Sequence, residues 1–443
     1  MVEVSDYQII QRNEKGFGKV VFGGDLKEEL NDGSEIRARV VNEDDSITVV
    51  DWTVCKTEGL HWSVELEIPE GGLYRLEATF CAKNTWAPSF CKHVKIVYHV
   101  GVGDIYMTTG QSNMTGFGRD FAYDPPCLGV HELAYNGKWT IATNPLADPT
   151  DTIFDFLDIG GASSPALSFA RTLKQKLGIP IGIVPVAVGG SPMAEWHPEE
   201  TARHYKSMLA RIPYVGNIKG FIWYQGCFEA MCTPNPVDYF DRFKRMVELW
   251  REQFGNLPVI TVQLNRWTGG LKVNQDHQWG LVKDAQRRAA LEIDGVFAVP
   301  SMDLLTSDGI HNSAGSNVVL GERMAAAALA GVYKKGGILA PAVTGAEWID
   351  SRTVLVRITP GHNVWSMDNC GQGFNIEDED GIAECESAVR VNDGLIVKAV
   401  RDCKPNAFFH YAWRTVPEPF VARDVGGMPL LACYRIPVLH SEK

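Results

Sequence analysis

The chain has 443 residues, 45% hydrophobic and 22% charged, with a formal net charge of −12 at pH 7. Its length allows about three domains and at least one full core. Its acidity excludes a nucleic-acid or anionic-membrane surface, both of which need clustered Lys and Arg.

No run of about 18 apolar residues suggests a membrane span, and the first residues, MVEVSDYQIIQRNEKG, lack a basic stretch followed by an apolar one. The sequence therefore reads as cytoplasmic, or as secreted if a leader has been removed.

Residues 1–100 alternate short apolar and polar runs, among them GKVVFGG, EIRARVV, HWSVELEIPEGG and LYRLEATF, broken by Gly, Pro and Asp. Period-two alternation of this kind predicts a β-sandwich-like accessory domain. From residue 101 the rhythm changes: strand-like DIYMTT, IGIVPVAV, GFIWYQG, PVITVQL and VFAVPSM alternate with segments of helical period. In VDYFDRFKRMVELWREQFG, Tyr239, Phe240, Phe243, Met246, Val247, Trp250 and Phe254 recur at steps of three and four, and Gly255 and Pro258 supply the stop. SSPALSFARTLKQKLG and AGSNVVLGERMAAAALAGVY read as further helices. Apolar strands alternating with helices predict a doubly wound parallel sheet over residues 101–335. After KKGG the strand pattern returns, so residues 336–443 are expected to form a C-terminal β-rich, sandwich-like domain; whether it packs with the first 100 residues is left open.

The ten cysteines include no C-x-x-C pair, and none lies near a His at zinc-finger spacing. No metal and no cofactor are expected, and free buried thiols are favoured over a Cys81–Cys91 staple.

In an open parallel sheet, ligands bind beyond the carboxyl ends of the strands. GQSNM follows the first strand, VGGSP the second and QGCFEA the third, while DGIH precedes the last helix, so four polar loops converge on one edge. A serine hydroxyl needs a base before it attacks a carbonyl. Ser112 is read as the nucleophile, His311 as its base, and Asp308, three residues earlier, as the acid that orients the imidazole rather than a helix cap. The backbone N–H groups of Ser112 and Gly190 and the Gln225 amide are candidate donors to an oxyanion. Trp196, His197 and Trp267 offer faces for a sugar ring, with packing in the core or at the rim as an equal reading. Arg266 and Arg119 offer a partner for a sugar carboxylate.

Taken together, VGDIYMTTGQSNM, VGGSPMAEW, GFIWYQG and DGIHNSAGSNVVLGERMA resemble the sialate O-acetylesterase family of the SGNH hydrolase superfamily, and the likeness extends over roughly residues 95–436. The resemblance implies an SGNH-type three-layer αβα fold and metal-free hydrolysis of carbohydrate acetyl esters. It also implies nucleophile, base and acid at Ser112, His311 and Asp308, an oxyanion glycine at Gly190 and a structural hydrogen-bonding role for Asn113, while Gln111 and Asn113 are also candidates beside the substrate. One position departs: QGCFEA has Cys227 where the family usually has Glu, with Glu229 two residues on. The leading expectation is an esterase acting on an acetylated carbohydrate, either sialic acid or a hemicellulose-derived oligosaccharide such as acetyl-xylan, with no nucleic-acid or membrane partner. The alternatives are a catalytically impaired carbohydrate-binding protein and an esterase for other short acyl esters.

Overall fold

The computed structural model describes residues 3–146, 148, 151–154, 161–269, 275–359, 364, 369–392, 394–417 and 422–440. The alternating first segment forms eight strands: β1 (Ile9–Gln11), β2 (Phe17–Asp25), β3 (Ser34–Asn42), β4 (Thr48–Val54), β5 (Lys56–Glu58), β6 (His61–Pro69), β7 (Gly71–Ala82) and β8 (Lys92–Gly110). β2, β6 and β5 make one sheet; β4, β3, β7 and the first half of β8 lie in another. Phe22, Trp62, Ile36, Leu76 and Val100 fill the space between them.

β8 does not stop at the sandwich. Its first half pairs antiparallel with β7, and its second half pairs in parallel with the strands that follow, so residue 100 lies inside one 19-residue strand. The ladder to β7 shifts between Tyr74↔Val100 and Leu76↔Val97, a bulge at Tyr98 and His99, where His99 takes φ 58°. From Val100 to Gly110 every residue is buried, as expected of a strand covered on both faces.

The middle segment continues with α1 (Ser112–Thr115), β9 (Val130–Leu133), β10 (Trp139–Ile141), α2 (Pro165–Leu177), β11 (Ile181–Pro185), α3 (Arg203–Val215), β12 (Gly220–Tyr224), α4 (Cys227–Cys232), α5 (Tyr239–Phe254), β13 (Val259–Val262), α6 (Gln275–Glu292), β14 (Val296–Val299) and α7 (Ala314–Ala328). The strand order β10-β9-β11-β8-β12-β13-β14 is parallel except for β10 at its edge. The chain winds to one side of β8 as far as β11, then crosses to β12 on the other. The topological switch, and with it the crevice, therefore lies at the end of β8.

The helices begin and end where local chemistry dictates. Ser164 caps α2, its hydroxyl accepting from Ala166 N–H at 3.3 Å, a contact worth about 1 kcal/mol. The apolar residues of α5 form the face buried on the sheet, with Trp250 against Phe221 and Trp223. Tyr106, in register with Gly220 and so on the opposite face from Phe221, meets Phe169 of α2. Helices thus cover both faces, and a π-helical turn after α7 brings Tyr333 back to the start of the parallel half of β8.

The last segment contains β15 (Ala342–Trp348), β16 (Thr353–Thr359), β17 (Phe374–Asp378), β18 (Gly381–Val391), β19 (Gly394–Ala399), β20 (Phe408–Tyr411) and β21 (Cys433–His440). It is a closed barrel rather than the sandwich expected, because its first and last strands pair, Ala346 opposite Val438. Its core is separate from that of the N-terminal sheets. It docks on α6, where Lys283 Nζ donates to Ala412 O at 3.0 Å and Arg414 O at 2.9 Å, and Gln263 exchanges two hydrogen bonds with Ala432. The ten cysteines are free, so the alternative Cys81–Cys91 staple is not formed. No helix among the described residues is long and apolar enough to cross a membrane.

Candidate active site

The register sets which loops can meet. Thr108 of β8 stands beside Pro185 of β11, and Gly110 beside Tyr224 of β12, so the segments after these three strands leave the sheet together. Gly110 takes φ 113°, and a Cβ there would lie 2.3 Å from Tyr224 O; only glycine lets β8 turn so close to its neighbour. Gln111 N–H donates to Tyr224 O, and α1 starts at Ser112.

Ser112, His311 and Asp308 come together as one hydrogen-bonded array. Ser112 Oγ is 2.8 Å from His311 Nε2, and His311 Nδ1 is 2.7 Å from Asp308 Oδ2. Asp308 Oδ1 accepts from the backbone N–H of Ile310 and of His311, both at 2.8 Å. Burial works against the Asp308 charge, but the hydrogen bonds from the His311 ring and these two backbone groups hold its carboxyl below the usual range. An ionised acid on Nδ1 leaves Nε2 free to take the serine proton. The array stays accessible: the His311 side chain is 18% exposed and that of Asp308 38%. Phe117 stacks on the His311 ring at 4.7 Å and fixes its plane.

Asparagines hold the His311 loop in place. Asn113 donates to Ile310 O at 3.2 Å and accepts from Asn312 N–H at 2.9 Å, while Asn265, just past β13, donates to Ile310 O and Asn312 Oδ1, both at 2.8 Å. Asn265 was not among the expected site residues, although its place at the carboxyl end of a strand is the signal that marks the other loops. Phe117 carries no such signal, whereas Glu229 sits in the QGCFEA loop that does.

Gly190 lies in the loop after β11, which is tied to the end of β8 just before Ser112. Val188 N–H donates to Gly110 O at 2.9 Å and Ser191 Oγ to the same oxygen at 3.3 Å, pinning the loop on the end of β8. Gly190 is exposed with φ 69°, and a Cβ on it would meet nothing within 4 Å, so its backbone faces open space. The N–H groups of Ser112 and Gly190 have no acceptor among the described residues.

Several expected roles need correction. Gln225 is fully buried; its Nε2 faces Ser191 O and Glu229 Oε2, and its Oε1 accepts from Tyr239 OH, so its amide is committed inside the protein. Gln111 and Asn113 are also buried: Gln111 Oε1 accepts from Gly226 N–H at 2.9 Å, and Asn113 makes the bridge just described, so both tether loops. Trp196 is fully buried, donating to Ser191 Oγ at 2.9 Å and packing on Trp223. Trp267 is buried and stacks on Trp279 of α6, beneath the barrel. His197 is buried as well. These large side chains sit in short connections that run over the sheet, where burying them gains more than exposing them to a ligand. Arg266 donates to Met302 O at 2.9 Å and lies near enough to Lys283 to depress that ammonium, which places it toward the barrel.

Cys227, the departure in the third loop, is the buried first residue of α4. Burial, reinforced by Glu229, pushes its thiol up to about 12, so it stays protonated. Glu229 turns inward, accepting from Met193 N–H at 2.7 Å and from Gln225, which joins the third loop to the second. Burial raises its carboxyl above the ordinary value despite those bonds. Among the described residues no cluster of three His, Cys, Asp or Glu side chains is placed to hold a metal ion.

A family model described as carbohydrate esterase, sialic acid-specific acetylesterase, matches residues 102–330. A probable carbohydrate esterase of Arabidopsis thaliana is 28% identical over 250 residues, which are 51% of this chain and 90% of that protein. The crystal structure of a carbohydrate acetylesterase from Xanthomonas citri superposes with a TM-score of 0.68 at 22% identity, covering 97% of each chain. That likeness is one of fold, and it takes in the sandwich and the barrel as well as the parallel sheet.

Proposed function

The chain belongs to the carbohydrate esterase, sialic acid-specific acetylesterase family, and from that premise we propose that it is a serine esterase that removes O-acetyl groups from carbohydrates through Ser112, His311 and Asp308. The observation that carries the reading is the unbroken line from Asp308 Oδ2 to His311 Nδ1 at 2.7 Å and from His311 Nε2 to Ser112 Oγ at 2.8 Å. The finer fold reading belongs to the same proposal: an SGNH-type three-layer arrangement with the serine after the first core strand and the Asp and His just before the last helix.

Ser112 Oγ attacks the acetyl carbonyl carbon while His311 Nε2 takes its proton, and the imidazolium is stabilised by Asp308. The carbonyl oxygen, now negative, is met by the N–H groups of Ser112 and Gly190, each such donor being worth about 3 kcal/mol. The C–O bond to the sugar breaks, and the sugar hydroxyl leaves with the proton from Nε2. Water, deprotonated by His311, then attacks the acetyl-serine and releases acetate. Gln225 takes no direct part; with Glu229 it fixes the second loop, which carries Gly190.

The substrate is an acetylated carbohydrate, with sialic acid and acetylated hemicellulose oligosaccharides as the candidates. The reading is tested by acetate release from O-acetyl sialic acid, acetylated xylo- and manno-oligosaccharides and p-nitrophenyl acetate. Ser112→Ala is expected to lower kcat by about 10⁴-fold or more with its melting curve unchanged. Equal acetate release by wild type and variant would remove the serine mechanism.

A further inference from the structure

Residues 117–126 form a strap beside the array that the proposed reaction does not use. The strap is pinned at intervals. Phe117 stacks on His311, Gly118 bridges to Ser163, and Asp120 Oδ1 accepts from Ala314 N–H at 2.8 Å, at the start of α7. The Asp124 carboxylate is held by Arg171 and by Asn144 at 3.2 Å. Between the last two anchors the strap turns two large rings outward: Phe121 is 92% exposed and Tyr123 81%.

The strap also lines a cavity of about 390 Å³, together with Thr143, Asn144, Ser163 and Ala314, the last of which is three residues past His311 in the chain. Arg119, another wall residue, lies over Phe117 at 5.6 Å and makes no ion pair among the described residues. This volume is within the range of small-ligand sites. Phe121 lines this cavity and Tyr123 stands two residues on, so two exposed aromatics share one anchored segment whose Phe117 packs on His311, which marks a recognition surface rather than scattered surface residues. The wall chemistry selects the ligand. The wall mixes charged and polar side chains (Arg119, Asp120, Asp124, Thr143, Asn144 and Ser163) with small apolar residues and one aromatic, and a pyranose suits that mixture, with hydroxyls around its edge and a C–H face for an aromatic ring.

We propose that this cavity is a second sugar subsite, with Phe121 in its wall and Tyr123 on the same exposed turn as stacking surfaces, which holds the ring next to the one bearing the scissile acetyl. The inference rests on the esterase reading and deepens it: the preferred substrate is a chain of two or more sugars rather than a free monosaccharide.

The test compares wild type with Phe121→Ala, Tyr123→Ala and the double variant on acetylated xylose, acetylated xylobiose and xylotriose, and p-nitrophenyl acetate. In the double variant the ratio of kcat/KM on the acetylated trisaccharide to that on p-nitrophenyl acetate is expected to fall about tenfold or more, with the loss in KM. A parallel titration of the Ser112→Ala protein with unacetylated xylotetraose, mannotetraose and cellotetraose reads binding without turnover. Binding that weakens when Phe121 and Tyr123 are removed supports the subsite. No binding of any of the three, or an acetate release with no preference for chain length, overturns it. Saturable binding by a wild type that releases no acetate from any substrate would instead overturn the esterase reading and leave the subsite standing.

Discussion

The parallel half of β8 ends in a polar cluster on either side, and the two differ in what they leave open. Where this half begins to pair with β11, Asp104 is fully buried and accepts from Arg12 at 3.0 and 2.7 Å, from Gln11 at 2.9 Å and from Tyr333 OH at 2.8 Å. At its end a second carboxylate, Asp308, also has both oxygens occupied, but the line of hydrogen bonds it begins runs on through His311 to a half-buried serine hydroxyl. The larger cavity, about 900 Å³, is at the first end, lined by Arg12, Glu70 and Asp104 among others. Neither volume nor density of charge distinguishes the end at which the reaction is proposed. What distinguishes it is a line of hydrogen bonds that terminates at a half-buried hydroxyl.

That contrast is open to direct attack. Asp308→Asn is expected to lower kcat by about 10²–10⁴-fold, because the amide no longer stabilises the imidazolium or fixes the tautomer. Steady-state acetate release checks this, and a loss confined to KM would place Asp308 outside the chemistry. Asp104→Asn is expected to do the reverse. It removes one of the two carboxylates that meet Arg12, leaving the Glu70 ion pair, costs about 1–3 kcal/mol of stability by urea denaturation, and keeps kcat per folded molecule. A low kcat in a variant of normal stability would show that the two ends are coupled.

The smallest effect concerns a third buried charge, Lys283, whose ammonium burial lowers to about 7 from its ordinary value of 10.5. Between those two values the unfolded chain holds a proton that the folded chain lacks, so stability contributed by this site rises with pH from about 7 upward and is least below it. Lys283→Met is expected to flatten the rise in melting temperature between about pH 7 and 9 relative to wild type. An identical slope would mean that the amine titrates as it does in the unfolded chain.

The elements most legible in the sequence were those whose information is local. The stripe of α5 with its Gly255 stop, the stretch that forms α2, and the apolar core strands follow from spacing alone. Ser112, Asp308 and His311 were legible because each occupies a short loop whose position in the strand order fixes where it emerges. The buried four-residue β9 offered no run long enough to register, and barrel closure depends on a pairing between Ala346 and Val438 that no local pattern encodes. The sugar-facing residues were misread for a related reason. Trp196, Trp267, Phe121 and Tyr123 all stand in loops, and only the fold decides that the tryptophans lie beneath the surface and the other two above it.

The unbroken course of β8 also bears on how such a protein is assembled and exchanged over evolution. Gly101, Val102 and Gly103 pair with Ile9, Ile10 and Gln11, so the N-terminal lobe contributes a strand to the ladder that leads to Ser112. Recombination that replaced this lobe at residue 101 or beyond would sever hydrogen bonds on two sides of the nucleophile's own strand. The seam that preserves them is the bulge at Tyr98 and His99, where the ladder to β7 already skips, provided that the incoming lobe supplies its own counterpart of Ile9–Gln11. Chimaeras joined there inherit an intact reaction centre, and those joined a few residues later inherit a frayed one.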